Sequence, residues 1–386
     1  MYETVDQNLT DSNVGCRKGR NIRDNIFICS AIANSVMKKE SGQVDFHIRD
    51  VETCFDKLDL KECIMDLYDA GIDNDKLNLL YLENKNCQVS IKVNQSSTKR
   101  INLSDIVLQG TLWAGLMCTT QMDKFAKDAY KSGDTYSYKQ KVEVAALEMV
   151  DDILVPINCG QESAKLNAKV NSFIESKKLK LSCKKCHKMH LGKKTLLCPK
   201  LKVHDENMED SSQEKYLGDI LVDDGKILKT VEDRCAKGFG LVSQIMAILS
   251  EVPLGKYKIQ MGLHLRQAML LNGMLYNSEA WHCLNNEHIK MLEEVDNHFL
   301  RSLFKSHSKT STSFLHLETA TLPIKFIIAS RRLNYLHNIL KRNKRVARAD
   351  FGTPVNIIGL MIDDTFVSYT VRSDFVGAYR KSNFYK

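Results

Sequence analysis

The segment AALEMVDDILVPI, residues 145–157, sets Asp151 and Asp152 side by side in an otherwise largely apolar run. Met149-Val150 precede the pair and Ile153-Leu154-Val155 follow it. Adjacent charges inside a buried strand are costly unless a partner cancels them. The longer stretch KVEVAALEMVDDILVPI therefore reads as a strand-turn-strand hairpin with the acidic pair at its tip. A third acid on a neighbouring strand would turn that tip into a site. HIRDVETCFDKL (47–58) supplies one, for Asp50 lies in a stretch, 44–55, that alternates like a half-buried strand, with Phe55 and Asp56 close behind. Carboxylates from separate strands at one sheet edge suit two-metal phosphoryl transfer, because Mg²⁺ prefers near-octahedral oxygen ligands. Spacing alone leaves an ordinary surface turn as the alternative, since Asp is common in turns.

The 386 residues are 43% hydrophobic and 26% charged, the balance of an ordinary globular protein large enough for two or three units. No apolar run approaches the roughly 20 residues of a membrane span. The polar start, MYETVDQNLTDSN, has no signal-peptide core. Twelve cysteines scattered along such a chain read as reduced thiols of the nucleus or cytosol, not as a disulfide scaffold. The net charge of +8 is moderate, but basic residues cluster at 16–25, 175–194 and 331–348. One cluster could be a solvated helix face; three point toward a polyanionic partner.

Helical spacing marks 24–40, stopped at Gly42, then 57–82 with a break at Gly71, 113–131 and 161–178. Residues 87–94 and 97–103 read as a hairpin, with further strands near 180–191 and 215–222. From about 230 the periodicities lengthen, at 230–250, 258–276, 286–304 and 323–343. A mixed α+β part, 1–225, is thus expected to precede a helical part, 226–345, and a tail, 346–386, without a clear pattern.

Taken in order, several segments resemble the palm of reverse transcriptases, specifically those of non-LTR retrotransposons. RDVETCFDKL is similar to the first palm motif, an aspartate followed by an aromatic. VLQGTLWAGLMCTTQMDK (107–124) resembles the Gln-Gly motif at the head of a helix, and EMVDDIL (148–154) the Asp-Asp turn. KKLKLSCKKCHKMHLG (177–192) resembles the lysine motif and EKYLGDIL (214–221) the primer-grip hairpin. Upstream GCRKGRNIRDNIF (15–27) and downstream 275–304 are also of familiar type. The resemblance covers about residues 15–340.

It implies a right-hand polymerase palm with partial fingers and a thumb-like helical region. It also implies an RNA-directed DNA polymerase, working on an RNA template, a DNA primer and dNTPs with two Mg²⁺ ions, for which Mn²⁺ can substitute. Asp50, Asp151 and Asp152 match the metal-binding triad. Lys185, with Lys184 and Lys188 nearby, matches the lysine that assists the leaving pyrophosphate. Phe55 matches the residue under the incoming sugar. Gln109 and Gly110 match the pair beside the nascent base pair, where glycine allows close backbone approach. Tyr216, Leu217 and Gly218 match the primer grip. At the Asp-Asp turn, Met149 replaces the usual Tyr or Phe. The resemblance further implies a chain truncated ahead of the RKGR segment, without endonuclease or most of the fingers.

Other readings stand beside this one. A catalytically silent fragment would bind nucleic acid without incorporation. A metal-dependent nuclease would use the same acids but leave the Gln-Gly and Tyr-Leu-Gly motifs unexplained. Cys183, Cys186, His187, His190, Cys198 and His204 hold zinc-like spacing. Strand alternation would send Cys183 and Cys186 to opposite faces, which favours ordinary thiols. Trp113 and Trp281 read as packing residues. RRLNYLHNILKR (331–342) reads as a bundle helix with a charged face, or as a thumb helix tracking phosphates.

Overall fold

The computed structural model describes residues 1–346 apart from 41, 105 and 194–199. The expected tail lies outside the described residues from 347 onward. A short helix α1 (Tyr2–Asp6) leads to α2 (Ile22–Met37), which Asn21 and Asp24 open with reciprocal side-chain caps. Strand β1 (Gln43–Asp50) follows. It ends at Asp50, earlier than its alternation predicted, because Thr53 at φ 45° turns the chain into the short helix α3 (Cys54–Lys57). Helices α4 (Leu60–Asp69) and α5 (Asn74–Lys85) break at Gly71, as expected, where φ is 88°.

A polar ribbon of β2 (Asn86–Val89), β3 (Lys92–Val93), β4 (Ser96–Ser97) and β5 (Ile101–Ser104) precedes α6 (Ala114–Ser132). The hairpin β6 (Tyr136–Tyr138) and β7 (Val142–Val144) leads into β8 (Leu147–Met149) and β9 (Asp152–Ile157). Helix α7 (Gln161–Ser176) and strand β10 (His187–Gly192) come next. Short strands follow: β11 (Lys202–Val203), β12 (Glu206–Asn207), β13 (Glu209–Asp210), then the hairpin β14 (Gln213–Tyr216) and β15 (Asp219–Val222).

The main sheet has the order β13-β10-β1-β9-β8, with β1 at its centre and antiparallel to both neighbours. Val44, Phe46 and Ile48 pack one face against Ile26, Phe27 and Ile32 of α2. The other face of β1, Asp45, His47 and Arg49, is buried too, so the strand is not half-solvated as its alternation predicted. Polar groups of α7 cover it. Ser163 Oγ meets His47 Nε2 at 2.8 Å, and Asn167 accepts from Arg49. Buried polar atoms need such partners. Beside them, Val155 and Ile157 pack against Leu166, Val170 and Ile174 of α7.

The helical part comprises α8 (Leu228–Ser250), α9 (Lys256–Leu265), a π-helical turn at Arg266–Leu271, α10 (Asn272–Met274), α11 (Asn286–Phe304), α12 (Thr312–Glu318) and α13 (Ile324–Val346). The helix expected at 258–276 is present as a continuous run from Lys256 to Met274, with the π-helical turn inside it. Val231, Val242 and Ile245 meet Leu292, Val295 and Phe299 in its core, which Ile324 and Ile328 close.

Candidate active site

The sheet brings Asp50 and Asp152 together by register: they are paired residues of β1 and β9. Asp152 is also paired with Met149 across the β8–β9 hairpin, which leaves Val150 and Asp151 as its turn. Val150 has φ 61°, a left-handed conformation disfavoured for a β-branched residue. The N-terminal segment braces this turn. Val14 N–H donates to Glu148 O at 3.0 Å and Glu148 N–H donates to Ser12 O at 2.9 Å. Asn13 Nδ2 donates to the buried Glu148 carboxylate at 3.0 Å. Gly15 lies so close that a Cβ there would stand 2.7 Å from Val150 N. Motif reading missed Ser12, Asn13, Gly15 and Glu148 as support for the acidic turn; the only available signal was the glycine before the basic stretch.

Lys185 Nζ donates to Asp50 at 3.1 and 3.3 Å, which raises the lysine pKa. Of the three candidate lysines, Lys188 instead pairs with Asp210 at 3.0 Å. Desolvation raises the Asp151 pKa, with the Asp50 charge adding to it. Desolvation first, then the charges of Asp151 and Asp50, push Asp152 up to about 6. The three carboxylates repel and do not gather into one tight cage. Among the described residues the one group of three donors within 4.8 Å of each other lies elsewhere.

An open cleft of about 360 Å³ receives Asp50, Asp152, Lys184 and Lys185 on one side and Tyr216, Leu217 and Gly218 on the other. Leu217 and Gly218, at φ 46° and 92°, form the two-residue turn between β14 and β15. Positive φ at both positions matches the twist of a tight hairpin. Tyr216 is buried, and its hydroxyl donates to Leu147 O at 2.9 Å, tying this hairpin to the acidic one. Arg234 and Asn277 donate to the carbonyls of Gly218 and Leu217 at 2.8 and 3.1 Å and so anchor the turn to the helical part.

Phe55 is half-buried against the core, while Gln109 and Gly110 sit exposed in the turn ahead of α6. None of the three lines the cleft, and neither does Asp151. Among the described residues, nothing beyond its chain neighbours lies within 4 Å of a Cβ built on Gly110, and its φ of 92° calls for glycine here. Trp281 is a core residue whose Nε1 donates to Asp219 at 3.0 Å; Trp113 stacks on Tyr2.

Among the described residues the Cys/His run is not gathered as a zinc set. Cys183 and Cys186 precede β10 instead of lying on a strand, and their sulfurs face the carbonyls of Val203 and Asp50. His187 lies beside Glu214, His190 meets Asp45 and His204 lies near Glu175, while Cys198 is outside the described residues. The basic clusters are also partly spent internally. Arg17 and Arg20 pair with Asp6 and Asp11, and Arg23 with Glu279. Arg331 and Arg332 donate to the carbonyls of Leu275 and Trp281, and Arg342 pairs with Asp24. Lys178, Lys180, Lys184 and Lys185 of the middle cluster remain exposed. No described helix is long and apolar enough to cross a membrane.

None of the curated proteins compared matches this chain. Solved structures similar to it include telomerase from Candida albicans with the TWJ fragment of telomeric RNA. It is 14% identical with a TM-score of 0.38, over 100% of this chain and 56% of that one. Apo telomerase from Candida tropicalis is 12% identical with a TM-score of 0.41, over 98% and 59%. The Candida tropicalis telomerase with the TWJ fragment is 13% identical with a TM-score of 0.45, over 91% and 53%. The chain thus spans between half and three fifths of the length of these structures. Residues 1–221, more than half of the 386, match the family described as reverse transcriptase (RNA-dependent DNA polymerase). With that match laid over the acidic hairpin, its partner strand and the Tyr216 hairpin, the chain belongs to the reverse transcriptase family and carries its palm fold.

Proposed function

We propose that this protein is an RNA-directed DNA polymerase of the non-LTR retrotransposon type, extending a DNA primer 3′-hydroxyl on an RNA template with dNTPs. The observation that carries the reading is the opposition of Asp50 and Asp152 across β1 and β9, with Lys185 on Asp50, in a cleft faced by the Tyr216 hairpin. The donor set suits divalent cations: Asp50 and Asp152 face each other as hard carboxylates with Asp151 beside them in the turn, and desolvation, then the neighbouring carboxylate charges, raise the proton affinity of Asp151 and Asp152. Asp50, Asp151 and Asp152 would hold two Mg²⁺ ions. When bound, these ions lower the pKa of the attacking hydroxyl and neutralise charge on the leaving pyrophosphate.

The chain's own groups position the reactants. Lys185, exposed and cationic at the mouth of the cleft, offers a proton and a positive charge to the pyrophosphate. The Tyr216-Leu217-Gly218 turn, rigid through Arg234 and Asn277, holds the primer end against Met149. By resemblance Phe55 and the Gln109-Gly110 turn would serve the incoming nucleotide, although none of them lines the cleft. Residues 226–345 act as the thumb, with 1–225 as palm and partial fingers.

The test is primer extension by the purified chain on poly-rA with an oligo-dT primer, in Mg²⁺ and then Mn²⁺. Asp151→Asn should lower incorporation by at least about 100-fold, as a loss of several kcal/mol of charge stabilisation implies. Its circular dichroism should remain that of the parent. Extension by this variant at the parent rate would refute the assignment, and hybrid binding without any incorporation by the parent would mark a silent palm.

A further inference from the structure

Toward the other end of β1, three elements aim a donor atom at one point. Asp45 stands on β1, His190 is its register partner on β10, and Cys159 lies in the turn between β9 and α7. His190 Nδ1 is 2.8 Å from Asp45 Oδ1. Cys159 Sγ is 3.3 Å from that oxygen and 3.5 Å from that nitrogen. Among the described residues no other three His, Cys, Asp or Glu donors come within 4.8 Å of one another. Asp45 and Cys159 are 0% and 8% exposed, and the His190 side chain is 14% exposed.

The arrangement is not that of a nucleophilic triad. There the thiol and the carboxylate would take opposite ring nitrogens of the histidine. Here both face Nδ1, while His190 Nε2 and Asp45 Oδ2 are buried without a hydrogen-bond partner among the described residues. Three donors converging on one point are a coordination geometry. One thiolate, one imidazole and one carboxylate form a set that zinc accepts.

The distances support this. Tetrahedral zinc, with bonds of about 2.3 Å to sulfur and about 2.0–2.1 Å to nitrogen and oxygen, places sulfur about 3.5 Å from the other two donors. It places nitrogen and oxygen about 3.3 Å apart. The two sulfur spacings lie within about 0.2 Å of that value, and the nitrogen–oxygen contact must open by about half an ångström. The charge balances as well, since a thiolate and a carboxylate neutralise Zn²⁺ and leave a neutral buried group. Among the described residues, Lys188 pairs with Asp210 and Arg49 donates to Asn167, so neither is bonded to Asp45.

We infer that Asp45, Cys159 and His190 form a zinc site with three protein ligands and a fourth position for water at the partly exposed edge of His190. It joins β1, β10 and the β9–α7 turn, five residues and roughly 16 Å along β1 from Asp50, and stands apart from the nucleotidyl-transfer reading. Binding of Zn²⁺ releases the thiol proton of Cys159 to solvent and forms the zinc–sulfur bond.

The test uses the full chain, stripped with a chelator and titrated with Zn²⁺. One equivalent should bind to the parent and to Cys183→Ser/Cys186→Ser. Cys159→Ser and His190→Gln should bind at least about 100-fold more weakly, a ligand loss exceeding the 10–100-fold typical of outer-shell changes. X-ray absorption of the zinc-loaded parent should show one sulfur with nitrogen or oxygen neighbours, a readout that does not depend on any variant folding. No stoichiometric zinc, zinc retained by Cys159→Ser, or a shell with no sulfur or several would each overturn the proposal.

Discussion

At Asp152 the cost of crowding carboxylates shows in the proton affinity. The side chain loses water at the sheet edge and faces Asp151 and Asp50, which together carry its pKa from the ordinary 3.8 to about 6. The folded state therefore holds this proton more tightly than the unfolded chain. Stability from the group is fully present below about pH 4 and is lost as pH rises through 6. Two pKa units correspond nominally to about 3 kcal/mol, but water reaches the side chain, and screening leaves about 1 kcal/mol. Asp152→Asn should accordingly raise the Tm at pH 7–8 by about 1–3 °C in the absence of divalent cations. The gain should vanish toward pH 4, and Mg²⁺ should narrow it by stabilising the parent. Thermal unfolding followed by circular dichroism from pH 4 to 8 decides this. A gain as large at pH 4 as at pH 8 would mean that the carboxylate charge is not its source.

Among the elements, the π-helical turn at Arg266–Leu271 shows what periodicity does not reveal. Its widened backbone places Arg266 in the helical core, where Nε and Nη2 donate to Asp296 of α11 at 2.6 and 2.7 Å. Both side chains are at most 4% exposed. Arg266→Met leaves the Asp296 charge buried and unpaired and should cost about 3–5 kcal/mol in urea unfolding. Adding Asp296→Leu should recover most of that loss; a double variant no more stable than the single would show that packing, not charge, sets the cost. Nothing in the apolar spacing of 258–276 announced this turn, whereas α2, α6, α7 and α11 were legible from their apolar spacing. Strand β1 was half legible: Val44, Phe46 and Ile48 fixed its period, but Asp45, His47 and Arg49 looked solvent-facing. Their burial depends on Ser163 and Asn167 more than 110 positions away, pairings that no local window contains. The candidate site follows the same division. Asp50, Asp152, Lys185 and residues 216–218 were readable as positions and share one cleft, while the bracing by Asn13 and Gly15 arises only from the tertiary fold.

Across the whole molecule, arginines that read in sequence as a surface for polyanions knit the sheet-bearing part to the helical part. Asp24, buried at the start of α2, accepts from Tyr335 Oη at 2.8 Å and from both terminal nitrogens of Arg342 at 2.8 and 3.1 Å. Arg342 also donates to Gly19 O, so α13 closes over the N-terminal segment that braces the acidic turn. The local pattern could not separate this clasp from a phosphate-tracking face, because both use basic residues one helical turn apart. Asp24→Ala removes the acceptor of a buried phenol and of a half-buried guanidinium and should cost about 3 kcal/mol. Trypsin should then cleave within α13 sooner than in the parent, since local opening sets the rate of such cleavage. Asp24→Asn, which keeps an oxygen for Tyr335 but not the charge for Arg342, should fall between the two. If Asp24→Ala is cleaved in α13 no faster than the parent and unfolds at the same temperature, the helix is held by the apolar contacts of Tyr335 and Ile339 alone.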